Sequence, residues 1–129
     1  MKSLVVRQDG IEEYFTGERC WIRELAGSEE DPGLSFAMAR VEPGVTTAWH
    51  SLVGTGERYV MISGRGIMEV GQFPPTTVGP GDLVVIPPGM PQRITNNGSE
   101  DLVFCCVCTP AFRPEVYTDL EKDKEKPGT

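Results

Sequence analysis

Glycine and proline occur at short intervals along this chain, and they limit the length of the secondary-structure elements that can form between them. The 15 glycines and 11 prolines include the dipeptides Pro43-Gly44, Pro80-Gly81 and Pro88-Gly89, which are typical of tight turns. Asn97-Gly98 predicts a β-hairpin. Because the runs between these turns are short and rich in Val, Ile, Thr and aromatic residues, the sequence predicts an all-β sandwich or barrel.

Period-two patterns and turn positions together predict where the strands lie. Short helical turns are predicted at residues 10–14 and 115–121, outside the regions of strand character. The predicted strands cover residues 20–25, 34–41, 46–52, 57–63, 67–70, 76–78, 82–86, 92–95 and 102–108.

Length and charge narrow the classes of protein. A chain of 129 residues has the size of one domain, so we predict a single domain over residues 1–129. Its barrel core covers about 20–109, and a C-terminal extension, 110–129, ends in a frayed tail. The net charge of −7, from 12 basic and 19 acidic residues, argues against nucleic-acid partners and anionic membrane surfaces.

The apolar runs of this sequence are short. The N-terminal run is too short for a signal peptide, and no stretch approaches the roughly 20 apolar residues of a membrane span. We therefore expect a cytoplasmic protein whose four cysteines are reduced thiols.

The candidate site is centred on His50, the only histidine in the chain. Glu57 follows it across a glycine-rich turn, and Tyr59 shares the strand face of Glu57. A later stretch supplies Gln92 as a third partner. Imidazole and carboxylate are good metal ligands, and a histidine beside a carboxylate is also suited to acid–base catalysis.

The spacing around His50 resembles the first motif of the cupins. That motif runs Gly, five residues, His-x-His, three or four residues, Glu, six residues, Gly. Gly44, His50, Glu57 and Gly64 fall in this register, whereas the second histidine position is Leu52.

The later stretch resembles the second cupin motif. That motif runs Gly, five residues, Pro-x-Gly, two residues, His, three residues, Asn. Gly81, Pro87, Gly89 and Asn96 match it, and Gln92 takes the histidine position. The chain is therefore similar to a small single-domain cupin with an incomplete set of metal ligands.

The resemblance implies a cupin-type double-stranded β-helix, a jelly-roll-like barrel that often forms a homodimer. A full cupin site presents three histidines and one glutamate to a divalent metal. By this resemblance His50, Glu57 and Gln92 would hold Zn, Fe, Mn or Ni, with water or substrate completing the shell. In the alternative, no metal binds and His50 and Glu57 hydrogen-bond to each other.

Three functions are consistent with these residues. The first is an isomerase or lyase acting on a small oxygenated metabolite, with His50 as ligand or base, Glu57 as ligand or acid, and Tyr59 as a hydrogen-bond donor or acid. The second is a metal-free, non-catalytic module that binds a small-molecule ligand, and the third is a dimerisation scaffold. An iron oxygenase normally needs two histidines, which this chain lacks.

Strand periodicity also assigns residues to faces of the barrel wall. Cys106 and Cys108 should share a face opposite Cys105, and all three are interpreted as buried structural thiols. Apolar residues after the last strand, such as Phe112 and Tyr117, should cover either this barrel or that of a neighbouring subunit. The predicted lining of the barrel interior is Phe36, Met38, His50, Leu52, Tyr59, Met61 and Gln92.

Overall fold

The computed structural model describes residues 2–121, which form an almost entirely β structure. None of its described helices is long and apolar enough to span a membrane. Two short 3-10 helices cover Gln8–Gly10 and Pro114–Val116. The strands are β1 (Tyr14–Phe15), β2 (Trp21–Ala26), β3 (Ser35–Val41), β4 (His50–Leu52), β5 (Gly56–Ser63), β6 (Gly66–Val70), β7 (Thr76–Val78), β8 (Leu83–Ile86), β9 (Gln92–Thr95), β10 (Leu102–Thr109) and β11 (Tyr117–Asp119).

The strands form two antiparallel sheets whose inner faces share one core. The larger sheet has the order β1-β2-β3-β10-β5-β8 and the smaller has β11-β4-β9-β6-β7. Buried side chains of the larger sheet, including Met61 and Phe104, cluster with Met68 and Ile94 of the smaller sheet. The predicted double-stranded β-helix is therefore confirmed.

The inner face of β3 carries small residues. Ala39 and Val41 are buried, whereas Phe36, on the opposite face, is 38% exposed. The prediction that Met38 lines the barrel interior is wrong, because it shares the outer face with Phe36. Ala37 and Ala39 instead face the interior, and their small side chains leave space between the sheets.

The chain around β4 and β11 departs from the predicted elements. Of the predicted strand 46–52, only His50–Leu52 is a strand, and Thr46 makes an isolated bridge to Thr95. The predicted helical turn over 115–121 is wrong in its second half, because Tyr117–Asp119 pairs with β4. This partner is distant in sequence, so local pattern did not reveal the pairing.

The Asn97-Gly98 turn does not join a hairpin. The strand before it, β9, pairs with β4 and β6, whereas the strand after it, β10, pairs with β3 and β5. The turn therefore carries the chain from the smaller sheet to the larger one.

At the N-terminus, the predicted helical turn is displaced and a strand follows it. The 3-10 helix covers Gln8–Gly10 rather than residues 10–14. Tyr14–Phe15 then pairs with β2 as an antiparallel hairpin. The predicted tail beyond residue 121 lies outside the described residues.

Candidate functional site

A cavity of about 320 Å³ lies against the inner face of the larger sheet. Its wall is mostly apolar and includes the small residues Ala37 and Ala39. Several chemically active side chains also reach it. The acidic residues, thiols and aromatic residues that line it are Glu18, Glu24, Glu57 and Asp119; Cys20, Cys106 and Cys108; and Tyr14, Phe36, Tyr59, Phe104, Phe112 and Tyr117.

Gln92 joins Glu57 and Tyr59 into one hydrogen-bonded chain across the barrel. Its Nε2 donates to Glu57 Oε1 at 2.8 Å, and its Oε1 accepts from the Tyr59 hydroxyl at 2.7 Å. Gln92 belongs to the smaller sheet, while Glu57 and Tyr59 lie two residues apart on β5 of the larger sheet. Because all three are buried, these bonds fix the orientation of the Glu57 carboxylate.

Burial makes Glu57 a weaker acid than an exposed glutamate. Desolvation is the largest effect and raises the pKa of Glu57 from 4.5 to about 6. The negative charge of Glu18 acts in the same direction, whereas the Gln92 hydrogen bond and the nearby His50 lower the pKa. Glu57 therefore changes protonation state close to neutral pH.

His50 is buried beside the second carboxylate, Glu18. Its Nδ1 lies 2.7 Å from the Ala48 carbonyl oxygen, and its Nε2 lies 3.4 Å from Glu18 Oε1. The Tyr117 ring stacks on the imidazole, with ring centroids 5.1 Å apart. The carbonyl oxygen accepts a hydrogen bond from Nδ1–H, which leaves Nε2 to face the Glu18 carboxylate.

Glu18 reaches the site from the turn between β1 and β2. Arg19, the next residue, has a φ of 72°, a left-handed conformation that is uncommon for a residue with a side chain. The Glu18 carbonyl accepts from the Ala48 amide, and Arg19 Nε donates to the Thr46 carbonyl. The turn is therefore docked on the segment that precedes β4, which carries His50.

The thiols interact with the two carboxylates. Cys20 Sγ donates to Glu18 and Cys108 Sγ donates to Glu57, each over 3.7 Å. Burial raises the pKa of Cys20 to about 12 and that of Cys106 well above its usual value. Cys106 and Cys108 both line the cavity and Cys105 does not, as the strand period predicted. All four cysteines are free, neutral thiols at ordinary pH.

The predicted site residues are close in the fold but fall into two groups. Glu57, Gln92 and Tyr59 share one network, whereas His50 faces Glu18. The expected hydrogen bond between His50 and Glu57 is absent from the described contacts, since both groups bond elsewhere.

Of the predicted interior residues, Tyr59 lines the cavity from the inner face of β5. Phe36 also borders the cavity, although it lies on the outer face of β3 and is 38% exposed. Tyr117 stacks on His50 and Phe112 lines the cavity, so the C-terminal apolar residues cover this barrel. Leu52, Met61 and Gln92 are buried without lining the cavity.

Sequence reasoning missed Glu18. The residue lies outside the strands, in a turn, and neither family motif extends to it. Its proximity to His50 arises only from the docking of this turn in the folded barrel.

The predicted metal ligands already have protein partners. Gln92 directs its N–H group, not its oxygen, at Glu57, and its oxygen accepts from Tyr59. A metal shared by His50, Glu57 and Gln92 would require these bonds to be rearranged, so the arrangement does not fit such a site. Within residues 2–121, no group of three or more His, Cys, Asp or Glu side chains is arranged to hold a metal ion.

Two antiparallel sheets that share one core, with a largely apolar cavity that four acidic residues reach, define a small barrel protein. Residues 37–108 match the family model described as the cupin domain. The chain therefore belongs to the cupin family.

Relatives and solved structures agree with this assignment. An uncharacterized protein of Methanocaldococcus jannaschii is 32% identical over 123 residues, covering 94% of this chain and 98% of the relative. A glucose-6-phosphate isomerase of Pyrococcus furiosus is 28% identical over 152 residues, covering 97% of this chain and 79% of the relative. The structure of a predicted oxalate decarboxylase from Thermotoga maritima matches with a TM-score of 0.76 and 23% identity, covering 83% and 99% of the two chains.

Proposed function

We propose that this cupin is an isomerase or lyase that transfers a proton on a small oxygenated metabolite bound in the interior cavity. The observation that carries the proposal is that two carboxylates, Glu18 and Glu57, face one largely apolar cavity. A concave apolar site with a few convergent polar groups is the usual form of a small-molecule site, and about 320 Å³ accommodates a small metabolite.

Glu57 is suited to act as the general acid or base. With its pKa raised to about 6, it can both accept and return a proton near neutral pH. The bonds from Gln92 and Cys108 hold its two oxygens in place, so the carboxylate is oriented before a substrate binds.

Glu18 supplies a second group that can exchange a proton. Its carboxylate lines the cavity while one oxygen faces His50 Nε2. His50 is then a positioning residue that contacts the Glu18 carboxylate, rather than the group that touches the substrate.

The two carboxyl groups account for both reaction types. In an isomerisation, one carboxylate removes a proton from the hydroxyl-bearing carbon beside a carbonyl group, while a carboxylic acid protonates the carbonyl oxygen, which gives an enediol. The proton is then returned to the former carbonyl carbon, and the hydroxyl group on the first carbon loses its proton to become the new carbonyl. In a lyase reaction, the second carboxylic acid would instead protonate a departing hydroxyl group, which leaves as water. The relationship to an enzyme named as an isomerase supports the first type.

The proposal is tested by hydrogen exchange with solvent. Dihydroxyacetone and glyceraldehyde are incubated with the protein in D₂O, and deuterium incorporation and interconversion are followed by NMR. We expect exchange above the buffer rate, reduced at least about a hundredfold in Glu57→Gln, because positioned acid–base catalysis contributes about 10²–10⁴-fold. Glu100→Gln, a charge-matched change at an exposed residue outside this cavity, should retain the rate.

Exchange that is equal in the wild type and Glu57→Gln would contradict the proposal. Saturable binding of either compound without any exchange would instead favour the non-catalytic ligand-binding module. A divalent metal shared by His50, Glu57 and Gln92 does not fit the hydrogen bonds that Glu57 and Gln92 already make, and no step above requires one.

A further inference from the structure

The charged residues that line the cavity all carry the same sign. Glu57 is buried and Glu18 is partly buried, and Glu24 and Asp119 are exposed where the cavity meets solvent. The described lining contains no lysine or arginine. His50, which lies 3.4 Å from Glu18, is not among the lining residues.

The rest of the cavity wall is aromatic and apolar. Six aromatic residues line it, and three of their rings pack against another ring: the ring centroids of Tyr59 and Phe104 lie 4.3 Å apart, and Tyr117 stacks on His50. Aromatic faces attract organic cations through the ring quadrupole, and the attraction is stronger where water is excluded.

We propose that the ligand of this cavity is a small organic cation, an amine or quaternary ammonium compound that also carries a hydroxyl or carbonyl group. The inference rests on the proposed function, because it names the substrate class of the same cavity.

Electrostatics separates this class from the alternatives. A cation entering the cavity meets carboxylates that lack a lysine or arginine partner among the lining residues, in surroundings of low dielectric that strengthen the attraction. An anion, such as a phosphate ester, meets the same carboxylates and is repelled. The name of the Pyrococcus relative, glucose-6-phosphate isomerase, indicates an anionic substrate for that protein. The ligand proposed for this cavity has the opposite charge.

Three probes of nearly equal shape test the charge preference directly. Choline is a cation, 3,3-dimethylbutan-1-ol is its neutral isostere, and 3,3-dimethylbutanoate is an anion of similar size. Binding to the full chain is measured by calorimetry at pH 7.5, where Glu57 is ionised. We expect choline to bind at least about tenfold more tightly than the neutral alcohol, consistent with a desolvated cation–π contact, and the anion to bind most weakly.

Two charge-matched variants identify the groups that set this preference. Glu18→Gln should reduce the preference for choline over the alcohol severalfold, because it removes a carboxylate from the lining without changing its shape. Glu100→Gln should leave the preference unchanged, since Glu100 does not line the cavity. Thermal melting of each variant verifies that it is folded.

The wild-type comparison does not depend on the variants. Equal affinity for choline and the alcohol, tighter binding of the anion, or no choline binding at millimolar concentration would overturn the inference. If the wild type binds choline but catalyses no solvent exchange above the buffer rate in the proton-transfer assay, the proposed function is refuted and the proposed ligand class is retained.

Discussion

At the scale of single residues, Gln92 is the side chain that links the two sheets through the site. It donates to Glu57 and accepts from Tyr59. A buried amide that satisfies both partners holds the network in one arrangement.

The Tyr59 hydroxyl should contribute measurably to stability. Tyr59→Phe leaves Gln92 Oε1 buried without its donor, which costs about 1–3 kcal/mol. Denaturant unfolding measures the change in the free energy of unfolding. In Tyr14→Phe, the lost bond to Glu24 is exposed, so the change should stay within about 0.5 kcal/mol. Equal effects of the two substitutions would show that the buried hydrogen bond contributes no more to the free energy of unfolding than the exposed one.

The predicted metal site is tested at His50. Because Glu57 and Gln92 already bond to protein partners, we expect bound metal well below one equivalent in the wild type and no further loss in His50→Ala. Near-stoichiometric metal in the wild type that is lost in His50→Ala would contradict this expectation, since imidazole is the strongest of the three predicted ligands. Elemental analysis of protein purified without chelators measures this. The same metal content in both proteins, including none in either after incubation with Zn, Mn, Fe and Ni, would contradict the predicted site.

The sequence was sufficient for some site residues and not for others. The spacing of the glycines located His50, Glu57 and Gln92, and strand period placed Tyr59 on the face of Glu57. Glu18 was not predictable, because a turn has no period and its partner is 32 residues away. The partners of Gln92 depend on how the two sheets face each other, which one-dimensional spacing does not specify.

At the scale of elements, the β1–β2 turn is held over the site by interactions of Arg19 and Trp49 with Glu121, which we call the clasp. The guanidinium of Arg19 bonds to both carboxylate oxygens of Glu121, and Glu121 also accepts from the Trp49 amide. These interactions lower the pKa of Glu121 to about 2. Glu121 is therefore ionised at all ordinary pH values, and the clasp persists across them.

Breaking the clasp should loosen the turn that carries Glu18. We expect Glu121→Gln to increase amide hydrogen exchange within residues 16–20 severalfold, because it weakens the bidentate ion pair. Hydrogen-exchange mass spectrometry measures the effect. Asp101→Asn is the matched control, since it breaks an ion pair with Arg40 that is not part of the clasp. Unchanged exchange in the turn would show that the clasp does not hold it.

The local sequence pattern predicted those strands whose position is determined by their own residues and by the turns that flank them. Alternation and turn residues located β5, β7 and β9 closely. The short edge strand β11 was missed, because its conformation is stabilised by pairing with β4 rather than by its own residues.

At the scale of the whole molecule, the larger sheet presents an apolar outer face. Leu83 and Val85 on the edge strand β8 are 61% and 59% exposed, and Ile62 and Val60 on the neighbouring β5 are 50% and 38% exposed. We propose that a second copy of the chain covers this outer face in a homodimer, the assembly that the resemblance to the cupins implied.

A charge placed on the outer face should disrupt such a dimer. We expect the wild type to sediment as a dimer and Leu83→Lys to sediment as a monomer, because burying a lysine in an apolar interface is costly. Sedimentation velocity distinguishes the two. Phe73→Lys changes an equally exposed aromatic residue in a loop and should remain dimeric. A monomeric wild type would contradict the proposal.

The measurement closest to the central claim is the titration of Glu57 itself. Burial raises its pKa above the ordinary 4.5, so the folded chain binds this proton more tightly than the unfolded chain. The resulting stabilisation is complete below pH 4.5 and is lost as the pH rises through about 6. NMR of carboxyl-labelled glutamate, assigned with Glu57→Gln, should give a Glu57 midpoint near pH 6. A midpoint at or below 4.5 would contradict the account, since Glu57 would then be an ordinary carboxylate with no proton to exchange at neutral pH.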